Sequence, residues 1–291
     1  MSNILNEMSC DESQLISLYD SDQLLKLYSK DGYFSKGKNI RGKLCYIIGK
    51  HLNINPVDSI TSVAKITDLL HNASLVHDDI IDGDMIRRGQ PSIWYKYGVG
   101  KALLVGDYLI SKSYNEVSMM DIDSSAMNTL NAEITKTLND TIKGAHLELL
   151  HSNDDIETTF NKYIEITTLK TGSLFSLPFR CLYNISEKYE SLNIKPVVVA
   201  FSNLAVAYQI KDDWIDFKTE EEDFQNNSDI ANSRPNIFNV LSDTHRDELE
   251  LRVHEYQKNL IEKSWEPIKQ INCQLFNDLN KVLGEFIKLG I

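Results

Sequence analysis

The residues with the clearest chemical content are two groups of aspartates. In "HDDIIDGDMIRRG", from His77 to Gly89, Asp78, Asp79 and Asp82 form D-D-x-x-D just ahead of Arg87 and Arg88. In "YQIKDDWIDF", Asp212, Asp213 and Asp216 repeat the spacing. On a helix, positions i and i+4 share a face, so Asp78 and Asp82 point the same way about one turn apart. Two anions so placed repel unless something positive sits between them. Clustered oxygen ligands with no histidine or thiolate partner suit a hard divalent ion such as magnesium, which commonly takes one or two carboxylates together with phosphate oxygens. A lone copy in an acidic chain reads as a solvated helix end. The chain holds its own control in "SNDDIETT", where Asp154 and Asp155 lack an aspartate at the fourth position and read as a helix cap. Two matching groups, each following a long apolar stretch, favour a grip on a metal-bound diphosphate.

Positioning these groups falls to helices. Apolar residues recur mostly at three and four, with few alternating runs, so the chain reads as helical throughout. Breakers lie at "DGYFSKGKN", "NINP", Gly83, "RGQP", "DIDSS", "HSNDD", Pro178, Pro196 and the polar segment from Glu220 to Pro235. Between them, "SITSVAKITDLLHNASLVHDD" and "PVVVAFSNLAVAYQIKDDWIDF" are long enough for about five or six turns and apolar over much of their circumference. Such helices belong in the middle of a bundle. No flexible linker or fixed-length repeat divides the chain, so the expected fold is all-α: one domain over residues 1–291, a large helical bundle with a central cavity. With the two acidic helices side by side and their aspartates facing, six carboxylates would frame a cavity mouth, and the apolar interior would receive a hydrocarbon.

Composition narrows the function classes. The 291 residues are 42% hydrophobic and 25% charged, enough for a sizeable core. A net charge of -12 argues against a nucleic-acid backbone as the main partner, which makes the basic clusters informative. Cys10, Cys45, Cys181 and Cys273 are scattered, with no zinc or disulfide spacing, and read as free thiols. The start "MSNILNEMSCDES" lacks the pattern of a signal peptide, and no run reaches the roughly 20 apolar residues of a membrane span. The expectation is a soluble, cytoplasmic protein.

At this point the motifs carry a resemblance. "GKNIRGKL", "LLHNASLVHDDIIDGDMIRRGQP", "GVGKALLVGDYL", "LKTGSLF" and "YQIKDDWID" resemble, in order, five elements of the trans-isoprenyl diphosphate synthases, the polyprenyl synthetase family. The resemblance implies a prenyltransferase that ionises an allylic diphosphate with magnesium, about three ions per site, and adds isopentenyl diphosphate in trans geometry. It implies Asp78, Asp82 and Asp212 as metal ligands, with Asp79, Asp213 and Asp216 supporting them directly or through water. Arg87 and Lys170 would neutralise the allylic diphosphate, with Gln209 and Thr171 nearby. Lys38, Arg41 and Arg88 match the positions that bind isopentenyl diphosphate without metal, and His71 adds a donor. Read without the resemblance, Lys38 and Arg41 are solvated loop cations, His71 a hydrogen-bonded core histidine and Lys170 a helix-surface lysine. Trp94, Trp214 and Trp265 are assigned to the core.

Ala73 and Ser74, just before the first cluster, stand where bulky aromatics in this family stop chain growth early; the small pair implies a twenty-carbon product, geranylgeranyl diphosphate. A deeper floor from Leu70, Tyr108 or Phe175 is the competing expectation. There are departures from the family pattern. Gly42 stands where proline is common, and Ala145 where glutamine is common. The segment "KTEEEDFQNNSDIANSRPNIF" is acidic where a lysine is usual, with Arg234 at a second lysine position, also near the allylic diphosphate. The alternatives are a farnesyl diphosphate synthase, a terpene cyclase on the same scaffold, and a non-catalytic partner subunit. A homodimer is the expected assembly.

Overall fold

A computed structural model describes residues 12–34, 39–150, 156–186, 193–222 and 246–287. The three-and-four spacing appears as helices: α1 (Glu12–Asp20), α2 (Lys26–Lys30), α3 (Ile40–His51), α4 (Val57–Asp82), α5 (Ile93–Tyr97), α6 (Val99–Ser118), α7 (Ser124–Leu149), α8 (Ile156–Thr167), α9 (Ser173–Asn184), α10 (Lys195–Glu222), α11 (Arg246–Ile271) and α12 (Cys273–Ile287). Thr168–Gly172, between α8 and α9, is π-helical. The fold class is all-α, as the sequence predicts.

One short segment departs from helix throughout. Ile86–Arg87 (β1) and Gln90–Pro91 (β2) pair antiparallel, Ile86 opposite Pro91 and Arg87 opposite Gln90. The two residues between them, Arg88 and Gly89, have φ of 53° and 76°. A two-residue hairpin loop with both central residues at positive φ matches the twist of its flanking strands, so "IRRGQP" turns back on itself. Glycine adopts that backbone without penalty; Arg88 holds it with strain, a condition that clusters at functional sites.

The chain divides into two compact units, residues 1–134 with 178–190, and residues 135–177 with 191–291. In the first, α4 packs against α3, α5 and α6. Its middle buries Val63, Ala64, Ile66, Thr67, Leu69 and Leu70, which together cover more than half of the helix's circumference, as expected for a helix apolar on most sides. Leu69, Ala73 and Val76 join Tyr19, Leu25, Phe34, Val105 and Leu109 in one cluster. Truncating a fully buried residue such as Leu69 to alanine costs about 2–5 kcal/mol. In the second unit, α10 packs against α11, α12 and the π-helical turn, and Phe160, Tyr163, Val206, Ile210 and Val253 form a core cluster. No helix of the described residues is long and apolar enough to cross a membrane.

Candidate active site

The first unit assembles its acidic group at a helix end. Gly83, with φ of 71°, closes α4 one residue after Asp82, its amide N–H donating to the Asp79 carbonyl. The last turn of a helix carries about half a negative charge from its unpaired carbonyls. Asp78, Asp79 and Asp82 add three carboxylates in those turns, and Asp84 follows directly. Anions there are unfavourable by about 0.3–1 kcal/mol each, so the region is poised to take up cations. Asp78 and Asp82 are half-exposed, while Asp79 is 1% exposed.

Burial gives Asp79 a different role. Its Oδ1 accepts from Arg87 Nε at 2.7 Å and lies 2.5 Å from Arg87 Nη2, and its Oδ2 accepts from the Tyr33 hydroxyl at 2.6 Å. Arg87 Nη2 also donates to Asp84 Oδ2 at 3.1 Å, and the backbone of Asp84 is held by Trp94 Nε1 at 2.9 Å. Burial keeps the Asp79 carboxyl above its usual range against the pull of Arg87 and Tyr33. Burial, reinforced by the Asp79 charge, pushes the Tyr33 phenol up, so it stays a donor at any ordinary pH.

Two turns before Asp78, His71 lies among cations. Burial, and then the charges of Arg41, Arg88 and Arg87, hold its pKa well below the ordinary 6.5, leaving the imidazole neutral at pH 7. Three guanidiniums acting on one imidazole form a setting whose natural complement is an anion. Asp68, one turn earlier, feels Arg41 and Arg88 as well, although burial is strong enough to raise its pKa. Its Oδ2 accepts from Tyr19 at 2.5 Å and from Asn72 Nδ2 at 3.0 Å, and Asn72 Nδ2 also donates to the Tyr19 oxygen at 2.8 Å. Arg88 is exposed on the strained turn. Lys38, expected beside Arg41, lies outside the described residues. Ala73 is 1% exposed within the Leu69–Val76 cluster, while Ser74 is half-exposed and donates to the His71 carbonyl at 2.8 Å.

In the second unit, Lys170 and Thr171 sit in the π-helical turn. Such turns widen the backbone ladder by one residue and recur at functional sites. Lys170 pairs with Glu148 on α7. The fit there is tight, since a Cβ on Gly144 would lie 2.8 Å from Lys170 Cγ and 3.0 Å from its backbone nitrogen. Thr171 Oγ1 donates to Gln209 Oε1 at 3.3 Å, and Gln209 Nε2 donates to Asp213 Oδ1 at 2.7 Å. Asp213 Oδ2 accepts from Tyr163 at 2.5 Å, and burial with the Asp213 charge pushes the Tyr163 phenol well up. Asp212 is exposed. The helix runs on past Asp216 to Glu222, so this cluster is internal to α10 where the sequence placed it at a helix end. Arg234 lies outside the described residues.

Residues 22–266 match the sequence profile of the polyprenyl synthetase family. The chain belongs to that family. It is 33% identical over 196 residues to a decaprenyl-diphosphate synthase of Dictyostelium discoideum, a match covering 66% of this chain and 40% of the relative. It is 28% identical over 216 residues to a short chain isoprenyl diphosphate synthase of Methanocaldococcus jannaschii, covering 74% of this chain and 63% of the relative. The chain thus spans less than two thirds of the length of these two relatives. Its fold is similar to that of a geranylgeranyl pyrophosphate synthetase from Pyrococcus horikoshii, with a TM-score of 0.74, 24% identity, and coverage of 95% and 93% of the two chains.

The carboxylates of the two clusters have the donor chemistry that a hard cation takes. Among the described residues, no three histidine, cysteine, aspartate or glutamate side chains close a metal site by themselves. An incomplete, all-oxygen set at an electronegative helix end suits an ion that completes its shell with water and phosphate oxygens. Tyr33, Tyr163, Asp68, Asp84, Tyr19 and Glu148 take part in these networks, and sequence reading missed them all. Two had a signal: Asp68 is one turn from His71, and Tyr163 is seven residues from Lys170.

Proposed function

We propose that the protein is a trans-prenyltransferase that condenses isopentenyl diphosphate with an allylic diphosphate to give geranylgeranyl diphosphate. Arg41 and Arg88, whose charges both act on His71, carry this proposal, set in one unit with an acidic helix end. An enzyme ionising a single prenyl diphosphate for cyclisation needs no second diphosphate site; fixed cations beyond those at the acidic end are what a second, metal-free diphosphate requires.

Asp78, Asp82 and Asp212 are the proposed magnesium ligands, with Asp216 as support. Bound magnesium would stabilise the negative charge that develops on the departing diphosphate. Arg87 and Lys170 contact that diphosphate, and Thr171, Gln209 and Arg234 complete its surroundings. Lys38, Arg41 and Arg88 hold the homoallylic diphosphate, while neutral His71 donates one hydrogen bond to it without adding charge. The carbon–carbon bond forms between carbon one of the allylic unit and the double bond of isopentenyl diphosphate; loss of a proton restores the allylic system. Ser74, half-exposed beside the first cluster, supports growth past fifteen carbons.

The test is incubation of purified protein with magnesium, isopentenyl diphosphate and each allylic diphosphate in turn, with chromatography of the products. Elongated diphosphates ending at twenty carbons are expected. Hydrocarbons would assign a cyclase, and absence of turnover with every primer would overturn the proposal.

A further inference from the structure

The two aspartate clusters share an arrangement that their sequences do not announce. In each, the second aspartate is gripped from both sides: Asp79 by Tyr33 and Arg87, Asp213 by Tyr163 and Gln209. In each, one oxygen takes a tyrosine hydroxyl and the other a side-chain N–H at 2.7 Å. The tyrosines arrive from far along the chain, 46 and 50 residues from the aspartates they hold. A buried tyrosine hydroxyl ordinarily finds some acceptor, so either contact alone would be packing. The same donor on the same member of both clusters, in separate units, is a pattern.

We infer that Tyr33 and Tyr163 are a matched pair of positioning residues, each fixing the second carboxylate of its cluster so that the neighbouring aspartates and the Arg87 or Gln209 side chain are held on the diphosphate. The inference rests on the proposed diphosphate chemistry. Consecutive residues on a helix point about 100° apart, so pinning the second aspartate fixes the rotation of the turn and with it the aim of the first and fifth. Asp78 is half-exposed and Asp212 exposed, consistent with that division of labour. Tyr33 sits in the turn after α2 and Tyr163 on α8, so each ring also has a packing role that phenylalanine preserves.

The test compares Tyr33→Phe and Tyr163→Phe with Tyr28→Phe and Tyr256→Phe, two ring-packed tyrosines outside the clusters. Calorimetry of inorganic diphosphate with magnesium is the readout independent of turnover. Each cluster variant is expected to weaken that binding about tenfold, the scale of one hydrogen bond to a charged acceptor. Its KM for the allylic substrate should rise by a similar factor, with the KM for isopentenyl diphosphate within about twofold of the parent. The control variants should match the parent in both. Unchanged magnesium-dependent affinity in the cluster variants would overturn the inference, as would an equal rise in both KM values together with a lowered melting temperature. A parent protein that binds magnesium diphosphate but elongates nothing would refute the proposed function, while the calorimetric comparison would still decide the role of the tyrosines.

Discussion

Gly144→Ala is a small change that the structure turns into a sharp one. The new Cβ would lie 2.8 Å from Lys170 Cγ, 2.9 Å from Leu169 Cβ and 3.0 Å from the Lys170 backbone nitrogen. Comfortable carbon–carbon contact begins near 3.5 Å, so α7 and the π-helical turn must separate by on the order of half an ångström or more. None of the three atoms is the tip of a flexible side chain, so rotation gives little relief. Overpacking of this kind costs about 1–3 kcal/mol, offset by about 1 kcal/mol of helix propensity gained on replacing glycine by alanine. The net expectation is a loss of about 1 kcal/mol, read as a fall in melting temperature of about 2–4 °C. Catalysis should suffer more than stability, because Lys170 moves with the turn and misplacement of a charged contact by about 1 Å can cost on the order of a hundredfold. Gly100→Ala on α6 is the control: a Cβ there meets nothing within 4 Å, so the propensity gain should appear undiminished. The assay is thermal unfolding together with steady-state kinetics against the allylic substrate. If Gly144→Ala melts higher than the parent and leaves the allylic KM unchanged, the close approach of α7 to Lys170 is wrong.

Other expectations follow from particular contacts. Asp68→Ala removes the acceptor of Tyr19 and Asn72 and should destabilise the first unit by about 1–3 kcal/mol in denaturant unfolding; an unchanged midpoint would refute that network. His71 is held neutral in the fold, so as pH falls through the unfolded value of 6.5 the unfolded chain takes up a proton that the folded one refuses. Stability is therefore lost downward from about pH 7, and the melting-temperature gap between the parent and His71→Gln should shift against the parent between pH 7.5 and 5.5; a constant gap would contradict a suppressed imidazole. Ser74→Phe should shorten the product by at least one five-carbon unit, and an unaltered product distribution would remove Ser74 from the cavity wall. Cys181 is buried, with its thiol pushed up to about 12, so at pH 8 an alkylating reagent should modify exposed Cys273 and spare Cys181 until the chain unfolds.

The helices were legible because their signals are local. α4 extends from Val57 to Asp82, close to the stretch that the apolar spacing marked, and stops at the glycine that a left-handed cap requires. The extension of α10 beyond Asp216 was not legible, since "KTEEE" is compatible with both solvated helix and loop. The hairpin at Ile86–Pro91 was missed because two-residue strands leave no period to read; its signal lay in "RGQP", which was read as a breaker and not as a paired turn. Candidate site residues were found where chemistry is written in residue type, as with the aspartates and arginines. The tyrosines that hold Asp79 and Asp213 escaped notice because a hydroxyl reaching a carboxylate about fifty positions away is a tertiary fact. Asp68 escaped for a different reason: its one-turn spacing from His71 is shared by chance with many aspartates in an acidic chain, and gains meaning only when burial and Tyr19 single it out.

The central claim is that the aspartates serve a metal-bound diphosphate, and calorimetry of inorganic diphosphate with and without magnesium tests it most directly. Binding to the parent should be strongly magnesium-dependent, and that dependence should collapse in both Asp78→Ala and Asp212→Ala, with melting temperatures close to the parent. Equal affinity with and without magnesium, or variants that bind as the parent does, would contradict the account.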